Sequence, residues 1–494
     1  MGKTRQDLTR VDTAWLRMED ATNLMMSSGL LLFDRPLTLE DVEGVLEQRL
    51  DGFPRFRMKV VEPPLRIGSP VWELDEHFDL KSHIHRIAVP APGGPAELQA
   101  LISDLVSTPL DFTKSPWQLH LIDGVGTGSA LLARIHHCMA DGIALMHMLW
   151  SLTDKTPSGA KPGSDGALAA SGGHAGIGRQ LLSGIGTAIR HPDLAAGAAE
   201  AALAATAAAA QLTAAPPDTH TVLKGRLGVS KRAAWSERLS LNELKQVARV
   251  FNATFNDVMM GAVAGGMSAY LAGRDVDVDK ALLRVAVPVN LRPLNLAGDL
   301  GNVFGLVFLE LPLQPELAED RVREVKRRME EAKRSHQADA SLVVLALFGT
   351  LPGWLQPSAI NFFGQKASLT MTNVPGPEAP RYMAGHRIRD IMFWAPVSGR
   401  LGLGISVATY AGQVRVGVVG DAGLVPDPER IVELIEAELR GLLREVGMSK
   451  ESPPATRKTG HRRRSRSSRA ARHPGVGLQA AVPGDDSLFA ASSD

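Results

Sequence analysis

The pattern of apolar and polar positions over the first 150 residues predicts a mixture of strands and helices. Short apolar runs at 24–33 and 129–135 are typical of buried strands, although periodicity alone does not separate such a run from a buried helix. The segments 39–51 and 97–107 instead place their apolar residues on one helical face. We therefore expect an α/β unit over residues 1–152.

A second α/β unit is predicted over residues 234–448. In one of its helices, Asn256 and Asp257 stand near the start, where short polar side chains suit a helix N-terminus. We expect helices at 240–251, 254–272, 317–335 and 427–446, and strands at 284–290, 303–313, 368–377 and in a hairpin at 401–421.

The segment 153–233 between these units is predicted to be a linker followed by a helical crossover. Residues 155–178 are rich in Gly, Ser, Pro and Lys, which indicates a loop. Residues 194–215 contain 14 alanines and a single charge, Glu200, and alanine has the highest helix propensity. We expect this helix to pack on protein. A helix lying on lipid and a membrane span remain alternatives, although alanine drives insertion only weakly.

Charge is nearly balanced overall but is unevenly distributed. The 494 residues include 54 Lys and Arg and 53 Asp and Glu. The segment 449–494 holds nine basic and four acidic residues and is expected to be a disordered tail. It is either simply solvated or a contact for anionic lipid or nucleic acid. The body is slightly acidic, so we predict no requirement for a nucleic-acid partner.

Cysteine content and the N-terminus indicate a reducing, cytoplasmic setting. The single Cys138 excludes an internal disulfide and a zinc cluster built from cysteines. The first 20 residues are charged and lack an apolar core, so we predict no secretory signal. No run approaches 18 strongly apolar residues, so no firm membrane span is predicted.

The segment 133–142, ARIHHCMADG, is the strongest candidate for chemistry. A predicted strand delivers His136 and His137, whose side chains should point to opposite faces. Asp141 could orient the loop, cap the following helix or pair with an arginine. Gly142 would allow a tight turn and a close approach of backbone to a ligand.

A histidine in this position suits general-base catalysis on an alcohol. Its ordinary pKa lies near neutrality, so it can remove a hydroxyl proton. Attack of the alcohol on a thioester then needs an oxyanion donor and a channel that aligns both substrates. This chemistry requires no metal, no cofactor and no covalent enzyme intermediate.

The motif HHxxxDG resembles the signature of the acyl-CoA-dependent acyltransferase superfamily, which includes chloramphenicol acetyltransferase and peptide-synthetase condensation domains. Flanking segments are similar to the bacterial wax ester synthase/diacylglycerol acyltransferase family, beginning with an opening block of the form D-x-x-F-L-x-x-E. The resemblance spans about residues 8–446. Its matching segments are 11–34, 72–83, 109–117, 253–271, 287–293, 301–313 and 372–377.

The resemblance implies an α/β fold of two chloramphenicol-acetyltransferase-like halves, with mixed sheets, helices and an active-site tunnel at their interface. It implies transfer of a long-chain acyl group from acyl-CoA to diacylglycerol or a long-chain alcohol. Because both acceptors partition into lipid, we expect peripheral contact with the inner membrane or lipid droplets. Oligomeric state is not predicted.

The resemblance also implies residue roles. His137 is expected to be the general base, with His136 as its structural companion. Asp141 is expected to fix the loop by pairing with an arginine from the other half. The remaining candidates, which would support the active site, are Gly142, Asn256, Asp257 and Arg292, the last as the partner of Asp141.

Several positions depart from the family pattern. Lys114, Lys224, Thr372 and Ala411 replace the usual Arg, Asn, Ser and Asp, and Cys138 is unusual within the motif. None of these changes removes a histidine or the aspartate of HHxxxDG. They bear on substrate preference and rate more than on the class of reaction.

Other interpretations of the motif are weaker. Zinc binding by His136, His137 and Asp141 is disfavoured because neighbouring strand residues diverge and no further ligands cluster nearby. Cys138 directly follows His137, whereas a nucleophilic thiol and its base are usually brought together by the fold. His136-x4-Asp141 also fits membrane glycerolipid acyltransferases, whose companion motifs are absent. An acyltransferase for another lipid or polyketide alcohol, and a non-catalytic lipid-binding paralogue, remain alternatives.

Overall fold

The structure is a computed structural model that describes residues 5–66, 68–158, 217–290, 301–302, 304–314, 317–334, 341, 364–397 and 401–450. The predicted alanine-rich crossover helix, Arg292 and the basic tail beyond residue 450 lie outside the described residues.

Helices and strands are interspersed along the described chain, as the sequence pattern predicts. The α-helices are α1 (Arg10–Met18), α2 (Leu39–Arg49), α3 (Pro95–Val106), α4 (Gly142–Ser151), α5 (Leu241–Val250), α6 (Phe255–Ala272), α7 (Ala318–Arg334) and α8 (Pro428–Lys450). The strands are β1 (Arg5–Asp7), β2 (Met26–Phe33), β3 (Met58–Val61), β4 (Val71–Leu74), β5 (Ile84–Ala88), β6 (Trp117–Val125), β7 (Gly128–His136), β8 (Lys231–Trp235), β9 (Leu239–Ser240), β10 (Arg284–Asn290), β11 (Phe304–Glu310), β12 (Leu369–Pro375), β13 (Tyr382–Met383), β14 (His386–Trp394), β15 (Leu403–Tyr410) and β16 (Gln413–Asp421).

The sheet of the first half has six strands in the order β13-β14-β2-β7-β6-β5. It is mixed, because β5 and β6 are parallel while β2, β6 and β7 pair antiparallel. Strand β14 comes from the second half of the sequence and pairs with β2. Residues 382–394 therefore complete the first sheet. The predicted second unit, residues 234–448, thus contributes strands to both sheets.

The second sheet runs β11-β10-β12-β15-β16-β8, with β9 added beside β16. It too is mixed, since β12 lies parallel to both β10 and β15. The predicted hairpin at 401–421 is the antiparallel pair β15 and β16. A small third sheet, β1-β4-β3, accompanies the first half.

The six-stranded sheet separates two layers of the first half. Leu131 on β7 packs in a core with Trp15 of α1, Leu46 of α2 and Leu145 of α4. Its neighbour Leu132 faces the opposite core, which includes α3 and residues of the second sheet. The alternation of strand side chains thus places α1, α2 and α4 together on one face.

The second half is built around α6, which lies between α7 and α8. A Cβ on Gly261 would sit 3.2 Å from the Cα of Val322 on α7. A Cβ on Gly266 would sit 3.0 Å from the backbone N of Ile435 on α8. These glycines allow the close helix approach that buries the apolar faces on the second sheet.

Candidate active site between the two halves

The HHxxxDG segment forms the predicted strand, loop and helix. Strand β7 ends at His136, and α4 begins at Gly142. The carboxylate of Asp141 accepts a hydrogen bond from the backbone N–H of Ala144 (2.9 Å), which caps α4. Gly142 is not in the left-handed region, and a Cβ there would have no neighbour within 4 Å. Gly142 is the first residue of α4, and the close approach to a ligand that the sequence predicts for it stays a prediction.

His136 is fully buried among groups of the first half. Its Nδ1 accepts a hydrogen bond from the backbone N–H of Cys138 (3.1 Å). Its Nε2 lies 2.8 Å from a carboxylate oxygen of Glu19. Because Nδ1 accepts, the proton is on Nε2 and faces Glu19. The role of His136 as structural companion of the base stays a prediction.

His137 lies on the face of the sheet that carries α1 and α4. Its ring stacks on Trp15, with centroids 4.4 Å apart, and lies 5.6 Å from the ring of Phe304. Phe304 belongs to β11 of the second sheet, so the two halves meet at this imidazole. The backbone N–H of His137 donates to the carbonyl of Met25 (2.7 Å).

The electrostatic setting keeps His137 neutral. Burial lowers the pKa of His137 to about 4, and the nearby charge of Asp141 and the side chain of Asn302 oppose that shift only in part. The imidazole is consequently unprotonated at neutral pH and able to accept a proton. Burial raises the pKa of the Cys138 thiol instead, so Cys138 is a buried small apolar residue rather than a thiolate nucleophile.

The loop between β7 and α4, residues 137–141, is the motif loop. Gly301 and Asn302 of the second half contact it. The N–H of Asp141 donates to the carbonyl of Gly301 (3.2 Å). The side-chain amide of Asn302 donates to the carbonyl of His137 (2.7 Å) and to the buried carboxylate of Asp12 (2.7 Å). The predicted arginine partner of Asp141, Arg292, lies outside the described residues, so that pair stays a prediction.

Asn256 and Asp257 occupy the predicted helix start but differ in their contacts. Asp257 forms a capping box with Thr254 at the beginning of α6. The side-chain oxygen of Asn256 accepts a hydrogen bond from Asn373 (2.7 Å), which ties α6 to β12. Within the described ranges, no hydrogen bond joins either residue to the motif loop, and their support of the active site stays a prediction.

Sequence reasoning did not assign roles to three residues of the opening block. Asp12, Trp15 and Glu19 all face the motif loop, through Asn302, His137 and His136 respectively. Their spacing of three and four residues is that of one helical face; Asp12 and Trp15 lie on α1, and Glu19 is its C-cap. The conspicuous spacing of the D-x-x-F-L-x-x-E pattern was the signal that could have identified them.

A cavity lies between the two sheets near the end of the motif strand. Met26 and Ser28 of β2 line one side, and Lys231 and Val419 of the second sheet line the other. Met26 is the register partner of His136. The cavity opens on the α3 face of the first sheet and neither histidine of the motif lines it, so a tunnel that reaches His137 stays a prediction.

Comparison with family models gives two matches. The model described as wax ester synthase/diacylglycerol acyltransferase catalytic domain matches residues 8–259. The model described as the C-terminal domain of the same family matches residues 300–443. Together these matches extend through both halves.

Two relatives from Mycobacterium tuberculosis are similar over most of the chain. One, named a probable diacylglycerol O-acyltransferase, is 29% identical over 447 residues, which cover 87% of this chain and 94% of the relative. Another, named a putative diacylglycerol O-acyltransferase, is 28% identical over 425 residues, which cover 80% of this chain and 82% of the relative.

Solved structures confirm the predicted fold. A wax ester synthase/diacylglycerol acyltransferase from Marinobacter aquaeolei is similar with a TM-score of 0.64 and 24% identity, covering 90% of this chain and 100% of that one. The starter condensation domain of rhizomide synthetase is similar with a TM-score of 0.60 and 14% identity, covering 90% and 94%. At these identities the likeness concerns the fold alone.

Proposed function

Because the chain belongs to the wax ester synthase/diacylglycerol acyltransferase family, we propose that it transfers a long-chain acyl group from acyl-CoA to a lipid alcohol. The acceptor is diacylglycerol, a long-chain alcohol or both, so the product is triacylglycerol or a wax ester. The observation that carries this proposal is the buried, neutral imidazole of His137 at the junction of the two halves.

His137 acts as the general base. Its imidazole takes the hydroxyl proton while the alcohol oxygen forms a bond to the thioester carbonyl carbon. The carbonyl oxygen becomes an oxyanion, which a nearby N–H or hydroxyl stabilises. When the oxyanion collapses, the C–S bond breaks, and the leaving thiolate takes the proton from the imidazolium. The ester and free CoA are released, and His137 is neutral again.

His136, Asp141 and the residues around them support this base without exchanging protons with substrate. His136 stays between Glu19 and the N–H of Cys138, which fixes the backbone beside His137. Asp141 caps α4 and keeps the loop against Gly301. The thioester is already activated, so the reaction needs neither a metal ion nor a cofactor, and activity should survive exhaustive dialysis against EDTA.

The proposed acceptors also imply a location. Diacylglycerol and fatty alcohols partition into lipid, so the enzyme would meet them at the inner membrane or on lipid droplets as a peripheral protein. Among the described residues, none of the helices has the combination of length and hydropathy needed to cross a bilayer. Flotation of the full chain with diacylglycerol-containing vesicles tests this association.

A two-acceptor assay tests the proposed function. The purified full chain is incubated with labelled palmitoyl-CoA and either diacylglycerol or hexadecanol, and labelled ester and released CoA are both measured. We expect ester and CoA in equal amounts with at least one acceptor. If lipid binds but neither acceptor gives ester, a non-catalytic lipid-binding protein is the better interpretation. If a different alcohol gives ester, the reaction class stands and the acceptor is wrong.

A further inference from the structure

Asn302 occupies a position in which one side chain bridges both halves. It precedes β11 of the second sheet and is almost fully buried. Its Nδ2 donates to the carbonyl of His137 (2.7 Å) and to Oδ1 of Asp12 (2.7 Å). A primary amide has two N–H donors, so both are engaged. The orientation of this amide is thereby linked to the backbone of the proposed base.

Asp12 fixes the other end of this amide. Its side chain is fully buried on α1, and Oδ1 also accepts from the backbone N–H of Asn302 (3.1 Å). Two hydrogen bonds to one carboxylate oxygen restrain both the main chain and the side chain of Asn302. Arg55 lies 4.0 Å from Oδ2 of Asp12 and donates to the carbonyl of Met139 (2.7 Å), so the network returns to the motif loop.

The residue before Asn302 restrains the far end of the same loop. The carbonyl of Gly301 accepts from the N–H of Asp141 (3.2 Å). Gly301 has φ +125°, a conformation that L side chains rarely adopt. Two consecutive residues of the second half thus contact His137 and Asp141, which are the first and last residues of the motif loop.

We propose that Asn302 is a positioning residue through which the second half sets the orientation of His137, and that Asp12 fixes the Asn302 amide for this task. The inference rests on the proposed function, since it assigns a role in placing the general base. This role differs from that of a contact that only holds the two halves together. A purely adhesive contact would affect the free energy of unfolding, whereas a positioning contact affects turnover by the folded enzyme. A misplacement of about 1 Å can cost on the order of 100-fold in rate.

The first experiment compares Asn302→Ala with Ser107→Ala. Ser107 also joins the halves, because its hydroxyl accepts from the N–H of Lys231 (2.7 Å), but it lies on the α3 side of the first sheet. We expect kcat of Asn302→Ala to fall about 10- to 100-fold while KM for palmitoyl-CoA changes less than about twofold. Ser107→Ala should keep the parental kcat even if its melting temperature falls as much.

The second experiment tests whether Asp12 acts through Asn302. In Asp12→Ala the amide loses its acceptor, and kcat should fall as in Asn302→Ala. Asp12→Asn retains an acceptor oxygen and should restore kcat to within about threefold of the parent. In Asp12→Ala/Asn302→Ala the loss of kcat should not exceed that of the larger single variant, because both changes remove the same hydrogen bond between Asp12 and Asn302.

A milder variant covers the case in which Asn302→Ala does not fold. Asn302→Ser keeps one hydroxyl donor, which can serve only one of the two acceptors, and should lower kcat about fivefold at unchanged KM. Parental kcat in folded Asn302→Ser or Asn302→Ala, or losses that multiply in the double variant, would overturn the inference while leaving the proposed function intact. A parent chain that forms no ester overturns both.

Discussion

Two helices begin with a buried aspartate, one in each half, and their surroundings differ. Asp141 caps α4 and Asp257 completes the capping box of α6, and both residues are 4% exposed. Asp141 also contacts the second half, because its backbone N–H donates to the carbonyl of Gly301. The charge of Asp141 acts on His137 and raises its pKa against the larger effect of burial. The hydrogen bonds of Asp257 join it to Thr254 at its own helix start. The same local device therefore contacts the other half of the molecule in one case and stays within its own helix start in the other.

The two aspartates are distinguished by contacts between the halves and not by the capping interaction itself. The motif loop is contacted by Gly301, Asn302 and Phe304 of the second half. The start of α6 is tied by Asn256 to Asn373, which belongs to the same half. We therefore expect substitutions at the motif loop to affect turnover and substitutions at the start of α6 to affect mainly stability.

The largest expected effect is that of His137→Ala. Removal of the general base should lower kcat at least about 100-fold, because general-base catalysis typically contributes about 100- to 10,000-fold. The melting temperature should fall moderately, because the buried ring that stacks on Trp15 leaves a cavity, so rates are compared for the folded fraction. Ester formation by the two-acceptor assay and melting by circular dichroism provide the measurements. Activity within about threefold of the parent would contradict the assignment of the base.

The paired variants Asp141→Ala and Asp257→Ala test the comparison directly. Each removes a cap and should cost about 1 kcal/mol of unfolding free energy. Asp141→Ala should also lower kcat about tenfold, because the loop that carries His137 loses its anchor. Asp257→Ala should keep kcat within about threefold once the folded fraction is taken into account. Equal losses of kcat in the two variants would remove the distinction between the two helix starts.

The local part of the site could be predicted from the sequence because it depends on neighbours in the chain. The apolar run before His136 and the amphipathic run after Gly142 are enough to indicate a strand, a loop and a helix. The opposite surroundings of His136 and His137 follow from strand geometry alone. The resemblance to the acyltransferase family then added the roles, which the pattern of residues by itself left open.

The remaining part depends on contacts between distant segments, which periodicity does not encode. Asp12 and Asn302 are 290 positions apart and meet only because α1 and β11 converge on the motif loop. Strand β14 joins the first sheet although it follows the strand β12 of the second sheet in sequence. No local signal near 386–394 distinguishes the two sheets, so the position of this strand could not be predicted from the sequence.

A smaller effect is expected at Asn256. Asn256→Ala removes the acceptor for Asn373 and loosens α6 against β12, so kcat should fall only about threefold. Asn256→Asp keeps an acceptor oxygen at the same place and is the matched control. Steady-state rates with both acceptors would show the difference. A loss as large as that of Asp141→Ala would mean that the start of α6 supports the reaction more directly than its contacts indicate.

The smallest expected effect concerns pH, because the buried histidines of the first half have lower pKa values than an ordinary exposed histidine. Several histidines of the first half are kept neutral by burial, which lowers the pKa of His120 to about 3 and that of His137 to about 4. The unfolded chain has ordinary histidine pKa values and binds more protons below about pH 6.5. Stability should therefore decline as the pH falls from about 6.5 towards 4, so melting must be followed together with activity.

Under the proposed mechanism the neutral form of His137 is the active one, and its lowered pKa should move the acidic limb of the activity profile to about pH 4. Between pH 7.5 and 5.5, kcat/KM of the folded enzyme should change less than about twofold, whereas a base with the ordinary pKa would lose about tenfold. Measuring kcat/KM at half-unit intervals, with the folded fraction determined at each pH, distinguishes the two. A midpoint near 6.5 would show that substrate or solvent reaches His137 and cancels the effect of burial, and the contrast between the halves would then rest on Asp141 and Asn302 alone.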